Sequence, residues 1–229
     1  MSQSNITVSF EHADLAHLLN RREFRRCSDS KFGGRDGLND VLRELAAPVL
    51  SYTIKKIERI EKGAVHLQEG TTFTSPILAK VLEHCEEMIC FIVTIGSALE
   101  MEAARLNDYN RLTEAYILDR LGSLTAEHTI NAFHDNMNRR YRNKGYGVTL
   151  RFSPGYCDWL ITEQQKLFLL VDTEAIGVTL TESCLMHPRK SISGVFGLFP
   201  VTTDDTTSPY NPCVQCRKRG CHARRRRVD

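Results

Sequence analysis

The 229-residue sequence has no uninterrupted apolar run of about 18 residues, the length that a membrane-spanning helix requires. Its first 30 residues are polar and mixed in charge, so no secretory signal is evident there. These two absences predict a cytoplasmic protein without a membrane partner. In that setting the eight cysteines are expected to remain thiols or metal ligands.

The sequence also lacks the short motifs of several large enzyme classes. It contains no glycine-rich phosphate-binding loop, no nucleophile elbow and no paired carboxylates flanked by turn residues. Internal repeats and coiled-coil heptads are absent as well. Hydrolase and kinase functions therefore have no support in the sequence.

The net charge of +2 hides an uneven distribution along the chain. Residues 211–229 carry seven Lys and Arg residues against one Asp, which gives +6, so residues 1–210 sum to −4. A basic face across a whole domain is typical of nucleic-acid binding, whereas a short basic tail is more typical of a solvated or docking end. Nucleic acid is therefore not an expected partner.

The hydrophobic pattern predicts an α/β fold of α+β character, in which long helices pack on a mixed, mainly antiparallel, twisted sheet. Apolar residues at three- and four-residue spacing predict a helix from Asp36 to Leu50, kinked or restarted at Pro48. The β-branched run Ile89 to Ile95 predicts a central strand that is covered on both faces. A long helix is predicted from Leu112 to Tyr141.

The pattern divides the chain into three parts. Residues 1–35 are predicted to be an N-terminal helical extension with a helix around 14–24, and residues 36–200 to be one domain. Residues 201–229 are predicted to be a linker followed by a cysteine-rich, basic, metal-binding tail.

Residues 151–156, with the sequence RFSPGY, form the first candidate site. Pro154 and Gly155 favour a tight, exposed loop that displays the guanidinium of Arg151. A guanidinium is a planar fork that matches the two oxygens of a carboxylate. The segment therefore predicts either a structural turn or a carboxylate-binding loop.

The tail carries the strongest signal that spacing alone provides, the pattern C-x-x-C-x-x-x-x-C formed by Cys213, Cys216 and Cys221. Three thiols within nine residues, among Arg and Lys residues that favour thiolates, can converge on one metal centre. Zinc calls for a fourth ligand, and an iron–sulfur cubane either takes a fourth thiolate, as is the rule, or leaves one iron open. The candidates for it are Cys184, which completes our predicted ligand set, Cys157 and a histidine such as His187.

Two blocks in fixed order resemble the activation domain of cobalamin-dependent methionine synthase, which binds S-adenosylmethionine (AdoMet). The RFSPGY segment matches that family's Arg-x-x-x-Gly-Tyr motif. Leu180–Ser183 and Ser191–Gly194 match its Leu-Thr-Glu-Ser and Ser-x-Ser-Gly segments. The resemblance spans roughly residues 70–200, and it implies that residues 36–200 are an activation-like domain standing alone, with the cysteine tail added.

The resemblance also implies a set of residues that contact AdoMet. In the family, the Arg and adjacent backbone of the first motif hold AdoMet, and a carboxylate at the position of Glu127 contacts it. The implied cofactor-binding residues of this chain are Arg151, Pro154, Gly155, Tyr156, Glu127 and Glu182. One position departs from the family, because Thr72 stands where the family has a ligand-contacting Asp.

The implied function is reactivation in trans of a corrinoid-dependent methyltransferase, most directly methionine synthase, by AdoMet-dependent reductive methylation of cob(II)alamin. The implied partners are the corrinoid-binding methyltransferase, which carries the cobalamin, and a flavodoxin or ferredoxin that donates electrons. Because this task requires an electron, the analogy favours an iron–sulfur cluster over zinc in the cysteine tail. The alternatives are a non-catalytic, metal-stapled docking module and an iron–sulfur electron donor for another corrinoid methyltransferase. The sequence leaves the catalytic residues open.

Overall fold

The computed structural model describes residues 5–9, 32, 34–201, 210–214, 216–217, 220–221 and 224. The predicted helix around residues 14–24 lies outside these residues. In chain order the elements are β1 (Ile6–Ser9), α1 (Gly34–Leu45), β2 (Val49–Glu61), β3 (Ala64–Leu67), β4 (Thr72–Thr74), α2 (Pro76–Val81), β5 (Glu87–Thr94), α3 (Ala98–Asp108), α4 (Leu112–Arg142), β6 (Tyr146–Val148), α5 (Gln164–Leu170), β7 (Thr179–Leu180), β8 (Met186–His187) and β9 (Ser191–Pro200). Short 3₁₀ turns at Ile161–Glu163 and Glu174–Ile176 flank α5.

Among the described residues, seven strands form one sheet in the order β4-β3-β2-β5-β9-β6, and β1 pairs with β2 beside this path. β7 and β8 form a separate two-stranded hairpin. Every pairing between the described strands is antiparallel. The predicted class, helices packed on a mainly antiparallel sheet, is confirmed.

Strand β5 lies at the centre of the sheet, between β2 and β9. Because successive side chains of a strand point to opposite faces, Cys90 and Ile92 join the core beneath α2 and α5, whereas Ile89 and Phe91 join the core beneath α4. All four side chains are fully buried. The predicted central strand covered on both faces is confirmed.

The predicted helix from Asp36 to Leu50 is wrong in its last part. Helix α1 ends at Leu45, and Val49 begins the 13-residue strand β2. Pro48 lies between the two elements, where its ring and missing N–H end the helix rather than kink it. Leu45 and Val49 stand four residues apart, so a helix-like spacing continued into the strand by coincidence.

The first described residues belong to the sheet. Ile6–Ser9, which fall within the predicted helical extension, form β1 and pair with the first residues of β2, Ile6 opposite Tyr52. The long helix α4 matches its prediction within one residue and packs Ile130 and Phe133 against the sheet.

No helix within the described ranges is both long enough and apolar enough to cross a membrane.

Candidate functional site

The loop that begins at Arg151 is fixed to the sheet at strand β9. Phe152 and Val195 form an antiparallel bridge with two backbone hydrogen bonds of 2.8 Å. A Cβ atom at Gly194 would lie 2.7 Å from the carbonyl oxygen of Phe152 and 2.8 Å from Oγ of Ser153. The loop approaches β9 this closely only because residue 194 is glycine. The two sequence blocks that carry the resemblance are therefore in direct contact.

Gly194→Ala should destabilise the fold by about 1–3 kcal/mol, because the added methyl group must displace backbone atoms of the loop. The measurement is urea unfolding followed by circular dichroism. Gly122→Ala is a matched control on α4, since a Cβ there would meet its nearest side-chain atoms at 3.4 Å. Replacing a helical glycine removes a penalty of up to about 1 kcal/mol, so this control should be neutral or stabilising. Equal stability of the two variants would contradict the close contact at β9.

Residues 153–159 form the tight, exposed loop that the sequence predicts. Gly155 has φ of 86°, a conformation that favours glycine, and its N–H donates to the carbonyl of Trp159 at 2.8 Å. The N–H of Tyr156 donates to the carbonyl of Ser153 at 3.3 Å. Pro154 is buried, whereas Gly155 and Tyr156 are exposed. Because both amides are used within the turn, a ligand would meet the Tyr156 ring and the Arg151 guanidinium rather than these N–H groups.

The guanidinium of Arg151 lies against helix α4. Its Nη2 donates to Oδ1 of Asn131 at 2.7 Å and lies 3.5 Å from Oε2 of Glu127. Glu127 and Asn131 share one face of α4 because they are four residues apart. The structure thus brings together Arg151 and Glu127, which the resemblance named. It adds Asn131, which sequence reasoning missed although its spacing from Glu127 was a signal.

Arg151 and Glu127 form an ion pair that we call half-open, because one side chain is largely buried and the other is exposed. The side chain of Arg151 is 18% exposed and that of Glu127 is 57% exposed. Burial lowers the pKa of the Arg151 guanidinium, and the Glu127 carboxylate opposes this effect. The guanidinium keeps its charge, because arginine is not deprotonated in proteins. A cation and an accessible anion side by side suit a ligand that carries both a carboxylate and an ammonium group.

Glu182 lies at the tip of the β7–β8 hairpin, with its side chain exposed. The hydroxyl oxygens of Thr181 and Ser183 are 3.0 Å apart, and Oγ1 of Thr181 accepts a hydrogen bond from the N–H of Leu185 at 3.1 Å. Thr181 and Ser183 therefore shape the turn and leave the Glu182 carboxylate in solvent.

Buried Gln164, at the start of α5, joins this hairpin to the sheet. Its Nε2 donates to the carbonyl of Cys184 at 2.9 Å, and its Oε1 accepts from Oγ of Ser193 at 2.6 Å. The hairpin is thereby held against the same strand, β9, that fixes the Arg151 loop.

Thr72 lies on β4, and both its hydroxyl and its carbonyl have hydrogen-bond partners. Its hydroxyl lies 3.0 Å from Nδ1 of His66, and its carbonyl accepts from Nζ of Lys166 at 2.8 Å. The carboxylate of Glu163 accepts from the N–H of Thr74 at 3.1 Å and from Lys166 at 2.6 Å. The carboxylate that the resemblance implies at residue 72 is thus absent from this chain.

The described part of the tail folds back onto the domain. The Tyr210 ring packs against the core beneath α2, with Nζ of Lys80 4.7 Å from its centroid. The guanidinium of Arg224 donates to the carbonyls of Cys213 at 3.0 Å and Cys216 at 3.1 Å. Cys213, Cys216 and Cys221 are half-buried.

The predicted tail ligands lie near a cysteine of the domain. Cys157 is exposed, but partial desolvation of its thiol raises its pKa, and the tail thiols, Cys213 first among them, raise it further. Cys184 is buried, and its backbone bonds to Thr181 and Gln164 within the hairpin region. Within the described residues, no group of three or more His, Cys, Asp or Glu side chains has the arrangement to hold a metal ion. The predicted set of Cys213, Cys216, Cys221 and Cys184 stays a prediction.

An open groove of about 650 Å³ lies elsewhere on the surface, among charged residues at the end of β2 and the start of β5. Lys56, Glu86 and Tyr146 are among its lining residues. None of the predicted cofactor-binding residues lines it. The exposed loop and α4, rather than this groove, carry the chemistry that the sequence indicates.

Comparisons with known proteins agree on the relationship. Residues 73–204 match the family described as "Vitamin B12 dependent methionine synthase, activation domain". Among solved structures, the crystal structure of the MetH reactivation domain bound to AdoHcy matches with a TM-score of 0.61 and 16% identity, over 91% of this chain and 81% of that chain. At that identity the likeness establishes the fold alone. The comparison with curated proteins found no match. Because the family match covers more than half of the chain, the protein belongs to the vitamin B12-dependent methionine synthase activation domain family.

Proposed function

We propose that the protein binds AdoMet between Arg151 and Glu127 and reactivates a corrinoid-dependent methyltransferase, most directly methionine synthase, acting in trans. Membership of the activation domain family supports the corrinoid role. The observation that carries the proposal is the half-open Arg151–Glu127 pair beside the Gly155 turn. A structure with the same fold was crystallised with AdoHcy, the product of methyl transfer from AdoMet.

The charges of the pair fit the amino acid end of AdoMet. The guanidinium of Arg151 is suited to the carboxylate and the carboxylate of Glu127 to the ammonium. Tyr156, 51% exposed, offers a ring face to the adenine or the sulfonium. In this proposal Pro154 and Gly155 shape the loop, and Glu182 approaches from the hairpin tip.

The proposed reaction starts from cob(II)alamin carried by the partner, which is the substrate. One electron from reduced flavodoxin or ferredoxin gives cob(I)alamin, whose electron pair attacks the methyl carbon of AdoMet. A cobalt–carbon bond forms, the carbon–sulfur bond breaks, and AdoHcy leaves with that bond's electron pair. The residues of this chain orient the sulfonium and hold its amino acid end, while cobalt and sulfonium supply the reactivity.

Exposed apolar side chains surround the loop and favour a partner surface there. Tyr156, Leu160 and Ile161 are 51%, 67% and 38% exposed. Cδ1 of Ile161 would lie 3.2 Å from a Cβ atom at Gly155, so these side chains border the turn itself. Neighbouring exposed apolar groups are typical of protein interaction sites. We propose that the corrinoid-carrying face of the methyltransferase docks here.

The direct test combines the full chain, a corrinoid methyltransferase core in its cob(II)alamin state, reduced flavodoxin and AdoMet with a labelled methyl group. We expect the label to appear on cobalamin, with the absorption spectrum of methylcobalamin, only when all four components are present. Arg139→Ala, an exposed substitution near the end of α4, should leave the yield unchanged.

Two other outcomes would favour the alternatives. Complex formation without label transfer would favour the non-catalytic docking module. Reduction of cob(II)alamin by the protein alone, independent of AdoMet, would favour an electron donor for another corrinoid methyltransferase. Either result would overturn the proposed reductive methylation.

A further inference from the structure

We propose that Cys157 joins Cys213, Cys216 and Cys221 in one four-thiolate metal centre, which ties the tail to the loop that carries Gly155 and Tyr156. This inference replaces Cys184 with Cys157 as the fourth ligand. It does not depend on AdoMet or on a corrinoid partner, so it can fail separately from the proposed function.

Helix α2 anchors both segments that would supply ligands. Asp158, next to Cys157, accepts hydrogen bonds from Oγ of Ser75 at 2.5 Å and from the N–H of Ile77 at 3.1 Å. One turn further along α2, Lys80 contacts the ring of Tyr210 at the start of the cysteine tail. The Cys157 loop and the tail are therefore fixed to the same short helix.

The tail backbone is shaped before any metal binds. Oδ1 of Asn211 accepts from the N–H of Cys213 at 3.0 Å, and its carbonyl accepts from the N–H of Val214 at 3.2 Å. The two Arg224 hydrogen bonds hold the carbonyls of Cys213 and Cys216 on one side of the turn.

The backbone conformation of Cys157 is unusual for a residue other than glycine. Its φ is 56°, in the left-handed region that favours glycine, and Cys184 shares this conformation with φ of 61°. The two differ in accessibility, because Cys157 is exposed and Cys184 is buried. Non-glycine residues in this region cluster at functional sites, where the local strain is retained for a purpose. Within the loop, Cys157 is adjacent to Tyr156 on one side and to the Asp158 clamp on the other.

The geometry that places the tail cysteines near Cys157 is the shared anchoring on α2, through Asp158 at its first turn and Tyr210 against Lys80. The described side chains do not yet converge on one point. Four thiolates repel one another until a cation neutralises them, so metal binding and the closing of such a site are coupled. Arg217 and Arg224, beside the tail cysteines, would balance part of the remaining negative charge.

A four-thiolate site takes either Zn²⁺ or a [4Fe–4S] cluster. The first experiment measures metal and sulfide, with an absorption spectrum, on the anaerobically purified full chain. About one zinc per chain, or about four irons with matching sulfide, would support the centre. Zinc would make it a structural tie, whereas iron with sulfide would place a one-electron carrier beside the AdoMet loop. If the protein binds neither metal, even after incubation with Zn²⁺ or with iron and sulfide, the proposal is wrong.

The second experiment identifies the fourth ligand with Co²⁺ as a spectroscopic probe. Cys157→Ser should weaken the thiolate-to-cobalt absorption and lower Zn²⁺ affinity more than about a hundredfold, because even second-shell losses cost 10–100-fold. Cys184→Ser is the matched control and should leave both unchanged. Retention of both signals in Cys157→Ser, or their loss in Cys184→Ser alone, would overturn the assignment.

A third measurement needs no variant and guards against a folding failure. The wild-type protein is alkylated with and without Zn²⁺, and the modified cysteines are identified by mass spectrometry. We expect Zn²⁺ to protect Cys157 together with the three tail cysteines. Protection of the tail cysteines alone would exclude Cys157 from the centre.

Discussion

Arg151→Ala should lower the affinity for AdoHcy by about tenfold to a hundredfold while the fold remains intact. Hydrogen bonds to charged groups contribute about 1.5–3 kcal/mol, and each 1.4 kcal/mol corresponds to a factor of ten. The fold should tolerate the change because the partners of Arg151 on α4, Glu127 and Asn131, lie at the surface and can be hydrated. Isothermal titration calorimetry with AdoHcy measures the loss, and circular dichroism checks the fold.

Two matched variants separate charge from geometry. Arg151→Lys keeps the positive charge but loses the planar fork, so it should recover only part of the affinity. Arg139→Ala removes an exposed arginine from α4, the helix that Arg151 contacts, and should change nothing. If Arg151→Ala binds AdoHcy as tightly as the wild type, the ligand lies elsewhere and the assigned site is wrong.

The sequence predicts those elements whose signal is local. Both faces of strand β5 are buried, so its sequence is a continuous apolar run rich in β-branched residues. Helix α4 keeps one apolar face over 31 residues. Strand β2 was missed because only its first half is buried. In its second half Lys56 and Glu58 are exposed, and this half is a strand because β3 and β5 pair with it.

In the candidate site, too, the sequence predicted individual residues but not the contacts that depend on the fold. The resemblance named Arg151 and Glu127, but their contact depends on how β9 fixes the loop above α4. Asn131 joins them through that packing alone. The spacing of the tail cysteines indicated a metal centre, yet it could not choose between Cys157 and Cys184. That choice depends on where the tail returns to helix α2, which no local pattern encodes.

Trp159→Ala should have the largest effect on stability, a loss of about 3–5 kcal/mol, as expected for removing a large aromatic side chain from a core. Trp159 is only 1% exposed. Its ring meets Phe73 edge-on at 5.5 Å and stacks on Phe152 at 5.8 Å, so it packs the Arg151 loop against the core. Urea unfolding must be followed by far-ultraviolet circular dichroism, because the variant lacks the only tryptophan of the chain.

Trp159→Phe distinguishes packing from hydrogen bonding at this position. The indole N–H of Trp159 has no hydrogen-bond partner among the described residues, so phenylalanine removes ring volume without breaking a bond. We expect a smaller loss than for Trp159→Ala, because phenylalanine leaves a smaller cavity than alanine. The ring fixes residue 159, whose backbone carbonyl accepts from the N–H of Gly155. Trp159→Ala should therefore loosen the loop and weaken AdoHcy binding at temperatures where it remains folded, whereas Trp159→Phe should not. An equal loss of stability in both variants would mean that the indole N–H has a partner and that packing against Phe73 and Phe152 is not what holds the loop.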